Sequence, residues 1–342
     1  MRVWIVVASV GLLAAGCNVP STTITIVTGQ VSRTEPVRVL PAGGSPTISV
    51  NSPAGPIHVK AGDTAKVEAV LHAPTEADLD RIQIDVGGLS FSGVDTITID
   101  WTAVGDPSNL SVTFTITAPK GTFLDLKTGV GSIEVEGFER GLVASTGGGS
   151  ITVRRTAGDL RLHTGVGTVE VKGAKGTVSA ETGGGSIEVA DAVGDLRLES
   201  SVGTITVTCG TGKVEAKTGG GSVTVRERPG DLAVESKVGT IDVVGAQGSV
   251  RAQTGGGSVT VEGDLRGDCL VRSSVGPVEV RLPAAASLTV EGRTETGSVE
   301  TDFPLALEGK IATRSVRGKI GDGTGGTLRV ETGGGSLEIR KR

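Results

Sequence analysis

The chain has 342 residues and a formal net charge of −5 at pH 7. That balance lacks the basic footprint nucleic-acid binding needs, which excludes nucleic acid as a partner. With 55 glycines but 5 Phe, 2 Trp and no Tyr, a large globular core built on big side chains is excluded as well. A repeat can do without them, because each unit buries its face on its neighbours.

The chain opens on Met1-Arg2, a mostly apolar run from Val3 to Leu13, and the small residues Ala14, Ala15 and Gly16 before Cys17. A charged start, a short apolar core and a small-residue cleavage site describe an export signal. The run is shorter than the ~20 apolar residues a membrane-spanning helix needs. Leu13-Ala14-Ala15-Gly16-Cys17 resembles the lipobox of bacterial lipoproteins, although Ala14, not Leu, stands three places before the cysteine. The resemblance implies a signal peptide over 1–16, cleavage before Cys17 and lipidation of the Cys17 thiol. An ordinary signal peptide that ends near a cysteine is the alternative. Asn18 points, by the same resemblance, to the outer membrane of a Gram-negative cell. No later apolar run is long enough to span a bilayer, so the N-terminal lipid would be the only membrane anchor. Residues 17–45, rich in Thr, Pro and Gly, read as a tether from that lipid.

Residues 46–120 read as the first coils of a repeat and its cap. Ile48-Ser-Val50 and Pro56-Ile-His-Val59 look like early coils. Ala73 to Arg81 is the helix candidate, with Thr75 and Asp78 as a capping pair. From 121 to 342 the periodicity dominates. Thr-Gly-Gly-Gly-Ser begins at Thr146, Thr182, Thr218 and Thr254, in steps of 36, and returns at Thr332. Sister strings begin at Thr128, Thr164, Ser200 and Ser236, offset by 18. The unit is therefore 18 residues in two alternating flavours. Each reads as turn, strand, turn, strand: Ile187-Glu-Val189 and Leu196-Arg-Leu198 show the period-2 alternation of half-buried strands.

A propeller blade has four strands in ~40 residues, so 36 would nearly fit. The inward columns favour a solenoid with one 18-residue coil per layer. Leu160/Leu162, Val178/Ala180, Leu196/Leu198 and Val214/Ala216 alternate large with small, which lets stacked layers fill space. The turn column alternates likewise, Val130, Gly148, Val166, Gly184, Val202, Gly220, Val238, Gly256, and is read the same way, as a bulky residue over a gap. Ser273 to Pro277 continues the repeat with one inserted residue, and Thr332 to Ile339 is a last good copy. Arg340-Lys341-Arg342 then places charge beside the final strand, where it would guard a bare edge.

Chemistry is sought and not found. Calcium-binding β-rolls need a carboxylate that Gly147-Gly-Gly-Ser-Ile-Thr152 lacks. The Asp column Asp159, Asp195, Asp231 recurs on every second coil, too sparsely for a shared ion, and reads as turn-closing residues. His58, His72 and His163 have no metal or catalytic spacing. Gly212-Lys213 lacks the rest of a phosphate loop. Glu134, Glu170 and Glu188 lie in outward columns, where alternating charge is the ordinary reading. Cys209 aligns with turn glycines Gly137, Gly173 and Gly245, and Cys269 with inward Leu196 and Leu232. They fall at different corners about three coils apart, beyond the ~7 Å a disulfide spans. No catalytic, cofactor or metal site is expected.

The order of several pieces is more specific than any one of them: Asn51-Ser-Pro-Ala-Gly55, Thr113 to Thr122, the Thr-Gly-x-Gly-Ser coils, Arg281-Leu-Pro-Ala-Ala285 and Ile320-Gly-Asp-Gly323. In this order the chain is similar, from about Ser45 to Arg342, to the bacterial β-strand-repeat domains of unknown function labelled "putative adhesin". The resemblance implies an all-β fold, a single-stranded, right-handed β-solenoid (β-helix). The expected role is a non-enzymatic cell-envelope lipoprotein, an adhesin or protein-binding scaffold with a protein or cell-wall partner. Aromatic poverty favours protein over glycan. An envelope-stress sensor and a β-helix polysaccharide-degrading enzyme are the alternatives; the uniformly short turns speak against the enzyme.

Overall fold

The computed structural model describes residues 7–8, 24–27, 30–40, 46–91, 94–310 and 313–342. The expected cleavage site and Cys17 lie outside these residues. The chain separates into two compact units, Met1–Gly165 and Val166–Arg342. Both are strand-built, and the described residues include one short helix, Glu76–Leu79.

In the second unit the 18-residue period becomes strand register. Val178–Thr182, Leu196–Ser200, Val214–Thr218, Leu232–Ser236 and Val250–Thr254 pair in parallel, each residue opposite the one 18 later. The other strand of each coil does the same through Val169–Lys172, Ile187–Val193, Ile205–Thr211, Val223–Arg226 and Ile241–Gly248. Each coil thus gives one strand to each of two parallel sheets, which is a β-solenoid and not a propeller. Leu196 and Leu198 lie between Val178/Ala180 and Val214/Ala216, all buried. The expected alternation of large and small layers is the packing of this core, and each buried Leu contributes roughly 1.5–3 kcal/mol. The inserted residue appears as a change of register from 18 to 19, with Arg251 opposite Leu270 and Val259 opposite Val278.

The Thr or Ser that opens each glycine string is buried and explains why the string recurs. Thr218 Oγ1 donates to Gly203 O, one coil back, at 2.8 Å, and accepts from Gly221 N at 3.2 Å. Ser200 and Ser236 repeat both bonds one coil away on either side. One hydroxyl therefore closes its own turn and fastens it to the previous one. The glycine three residues on is forced by the stacking. A Cβ at Gly221 would lie 2.0 Å from Gly203 O, and one at Gly203 would lie 1.8 Å from Gly185 O.

The last copy in sequence is not the last coil. Thr327–Thr332 lies between Cys269–Ser273 and Leu288–Thr294, parallel to both. Leu337–Lys341 likewise lies between Val278–Leu282 and Val299–Thr301. The outer strand Leu288–Thr294 is covered by Thr313–Ile320, which runs antiparallel to it and to Ala306–Lys310. This corrects the expected role of Arg340-Lys341-Arg342: the terminal strand is paired on both sides, and an antiparallel hairpin blunts the edge instead.

The first unit tucks its first coil inside in the same manner. Thr47–Ala54 lies between Phe123–Val130 and Val94–Ala103, and Ile57–Ala61 lies between Ile133–Glu136 and Ser111–Ala118. Antiparallel strands Ile82–Phe91 and Lys66–Ala73 cover the outer coil. The expected helix joins these two cap strands as a single turn. Thr75 Oγ1 accepts from Asp78 N at 3.2 Å and donates to Asp78 Oδ2 at 2.7 Å, and Leu79 is buried. Part of the expected tether is strand: Gln30–Thr34 and Arg38–Val39 pair antiparallel with Lys66–Ala73, with Val31 and Leu40 buried.

Candidate functional site

The turn edge of the second unit is its most regular surface. At Ser200, Ser236 and Ser273 the buried hydroxyl accepts a turn hydrogen bond and bends the chain, so the residue two places after it leaves the strand's period. Val202, Val238 and Val275, and Val166 in the same column, are 64–69% exposed. This corrects the expectation that these valines fill gaps inside the coil: their column faces solvent. Gly184, Gly220, Gly256 and Gly334 occupy the same position on the intervening coils.

The opposite corner carries a column in the left-handed conformation. Gly173 and Gly245 share it with Asp191, Cys209 and Glu227, whose φ values are 53°, 55° and 50°. The sequence alignment of Cys209 with turn glycines is thus a shared backbone state. The Cys209 thiol donates to Glu227 Oε2 at 3.6 Å, and Glu227 and Asp191 raise its pKa. That places it among poorly nucleophilic thiols. Cys269 is buried, accepts from Val250 N at 3.4 Å, and is pushed up by burial. Both are free thiols.

Beside that corner Arg228 is fully buried. Its Nη1 donates to Ala192 O at 2.7 Å and Cys209 O at 3.3 Å, and its Nη2 to Gly194 O at 2.6 Å and Thr211 O at 2.8 Å. The side chain reaches across two coils through the space left by Gly210, whose added Cβ would meet Nη1 at 2.6 Å. Burial lowers its pKa, with Asp195 acting the other way. Sequence reasoning missed it. The signal was its column, in which Ala174, Ala192 and Ala246 are small and buried and the preceding member is a glycine.

The remaining candidates stand apart. Asp195 Oδ1 accepts from Lys213 N at 3.0 Å, and Asp231 Oδ1 from Ser249 N and Oγ at 3.2 and 2.7 Å. These aspartates are structural, but each ties its turn to the next coil rather than closing its own. His58 Nδ1 lies 3.2 Å from Glu134 Oε2, and His72 Nε2 lies 3.0 Å from Thr113 Oγ1. Glu170 and Glu188 are neighbours in register on adjacent coils. Among the described residues no group of three or more His, Cys, Asp or Glu side chains is placed to hold a metal. None of the described helices is long and apolar enough to cross a membrane.

The outer faces hold shallow depressions between strand side chains. One of about 350 Å³ is lined by Arg272, Arg293, Glu295 and Glu331, and another of about 310 Å³ by Arg251, Asp268 and Arg329. Arg272 pairs with Glu331 at 3.8 Å and Arg329 with Glu291 at 3.4 Å. Exposed pairs of this kind contribute about 0–1 kcal/mol each.

No curated protein matches the chain. Two solved structures are similar to it. A "putative cell adhesion protein" from Clostridium sporogenes ATCC 15579 shares 10% identity over 91% of this chain and 100% of that one, with a TM-score of 0.27. A "putative adhesin" from Bacteroides fragilis NCTC 9343 shares 14% identity over 91% and 96%, with a TM-score of 0.24. At those scores neither likeness bears on function. The sequence profile of the Toastrack DUF4097 family matches residues 46–340. That span holds the inner coils, both tucked end coils and their antiparallel caps, and the chain belongs to the Toastrack DUF4097 family.

Proposed function

We propose that this chain is a non-enzymatic cell-envelope lipoprotein, anchored through Cys17, that acts as an adhesin or protein-binding scaffold by presenting its coil surfaces to a partner. The observation that carries this reading is the uniformity of the turns. In the turns opened by Ser200, Thr218, Ser236, Thr254 and Ser273 the hydroxyl closes the turn onto the amide three residues on and fastens it to the previous coil. Among the described residues these turns carry no inserted loop that would wall off a site where water could be excluded and catalytic groups converged. The two depressions described above are lined largely by polar side chains, and Arg272, Glu331 and Arg329 among them are engaged in ion pairs. The label carried by the two similar structures agrees with this reading without adding weight to it.

The test is antibody labelling of an epitope appended after Arg342, on intact and permeabilised cells, for the natural chain and Cys17→Ser. Labelling of intact cells, lost to the medium or to a soluble fraction with Cys17→Ser, supports a lipid-anchored surface protein. Labelling only after permeabilisation overturns adhesion. Unchanged fractionation of Cys17→Ser overturns the anchor. Cleavage of any member of a panel of acidic polysaccharides by the purified protein overturns the non-enzyme assignment.

A further inference from the structure

The valine–glycine turn edge of the second unit has features that the fold does not require. Singly scattered exposed hydrophobics are normal, but a contiguous apolar stripe marks an interaction site. Four exposed valines recur here at one corner, on every second coil. The glycines between them lack an internal reason. A Cβ at Gly184, Gly220 or Gly256 would come no closer than 3.7 Å to anything in the chain, which is ordinary contact, and none has a positive φ. Their immediate neighbours Gly185, Gly221 and Gly257 would clash with a carbonyl oxygen at 1.9, 2.0 and 2.2 Å. The stacking thus demands glycine at one position and leaves room for a Cβ at the other on the Gly184, Gly220 and Gly256 coils; at Gly334 a Cβ would meet Val275 O at 3.2 Å. An unneeded glycine costs roughly 0.5–1 kcal/mol in conformational entropy. The edge is also nearly free of charge: in the turns that carry these valines and glycines the single charged side chain is Lys237.

We propose that this edge is a self-association surface, on which a second copy of the chain lies antiparallel with each valine of one copy seated over a glycine of the other. Coils about 4.8 Å apart place the valines about 9.6 Å apart, with a gap of equal period between them. A partner must bring projections with that period and phase, and this edge itself has both. In stacking order the column runs Val166, Gly184, Val202, Gly220, Val238, Gly256, Val275, Gly334, because the Thr332 coil stacks on the Ser273 coil. A two-fold axis between the Gly220 and Val238 coils sets every valine against a glycine, and each Lys237 against the partner's Gly219 coil rather than the partner's Lys237. The next coil outward carries Glu295 in its turn, which ends the uncharged strip. Such a contact is isologous and closed. A strip of about 38 Å by about 10 Å buries on the order of 800 Å² in all, below the ~1,200 Å² of a stable specific interface and in the range of weak, transient contacts. The pair is therefore weak in free solution and favoured when copies are concentrated.

The experiment is single-cysteine cross-linking under mild oxidation, with sedimentation up to 500 µM, on the full chain carrying Cys17→Ser, Cys209→Ser and Cys269→Ala. Val238→Cys lies beside the axis and is expected to cross-link to its own copy. Val166→Cys lies seven coils from its counterpart, about 34 Å, and is expected not to. Gly220→Leu, which fills a gap, is expected to weaken association at least tenfold with an unchanged melting temperature. Equal cross-linking at Val166→Cys and Val238→Cys would mean parallel, open-ended stacking and overturns the proposal. So does a monomer at every concentration without cross-links, or association that Gly220→Leu and Val238→Asp both leave unchanged.

Discussion

Gly220 and Gly221 are adjacent, chemically identical and predicted to respond oppositely to alanine. At Gly221 the new methyl carbon would sit 2.0 Å from Gly203 O, more than 1 Å inside contact. The coils must part locally, which threatens the Thr218 Oγ1 bond to Gly203 O at 2.8 Å and the Ile205 N bond to Ser222 O at 3.0 Å. Two hydrogen bonds at about 1 kcal/mol each and an overpacking cost of about 1–3 kcal/mol give a loss of about 3–5 kcal/mol for Gly221→Ala. At Gly220 the methyl carbon would lie 3.7 Å from Val202 Cγ1. The change should be neutral or stabilising by about 0.4–1 kcal/mol, through a less flexible unfolded chain. Urea unfolding followed by circular dichroism measures both, with hydrogen exchange at coils 205–241 to localise the effect, because coil stacks need not unfold in one step. If the two variants unfold within 0.5 kcal/mol of each other, the steric account of the glycine strings is wrong.

Three further outcomes are expected. Arg228→Leu should destabilise by about 3 kcal/mol or more, since it strips charged donors from buried carbonyls of two coils. Arg228→Lys should recover only part of that loss, and matching urea midpoints for the natural and Leu chains would refute the carbonyl clamp. Ending the chain at Gly326 removes Leu328, Val330, Leu337 and Ile339, all buried, roughly 6–12 kcal/mol of apolar burial. Hydrogen-exchange protection should vanish over 269–320 and persist over 169–236; protection retained at 288–301 would contradict the inserted coil. Asp322 accepts from the Ser287 hydroxyl and from Thr324 N and Oγ1, which holds its pKa down to about 2. Because the folded value lies below the unfolded one of about 3.9, its contribution is complete above pH 4 and is lost as pH falls towards 2. Protection factors over 321–327 should follow that course, and Asp322→Asn should flatten it.

The coil, its length, its alternation and its inward residues were legible because they are statements about period, and period is what a linear string displays. The helical turn at Thr75 was legible because its cap is local. What escaped depends on neighbours in space. The valines were placed inside because the strand's period was carried two residues too far, past a hydroxyl that bends the chain. Arg228 reads as one more charge in Arg226-Glu-Arg-Pro229 until its column is stacked and Gly210 is seen to leave room for it. The insertion of the final copy between earlier coils has no local signature, since Thr327–Thr332 matches the repeat wherever it docks. The strand at Gln30–Thr34 was hidden by a tether-like composition.

The tucked coils bear on the order in which strand pairings can form as the chain is synthesised. Strand Thr47–Ala54 meets its two partners only when Val94–Ala103 and Phe123–Val130 have emerged, so it waits, unpaired, for much of a unit. In the second unit, Leu288–Thr294 has no parallel neighbour until Thr327–Thr332 arrives to lie against it. Its parallel pairing thus waits for residues made well after it, and pairings between distant segments are slow to form. The inner coils add in order and can be held by one another in the meantime. A second unit whose inner coils are paired before Thr327–Thr332 arrives exposes an unpaired strand edge, and protection from aggregation is needed there until that strand is in place.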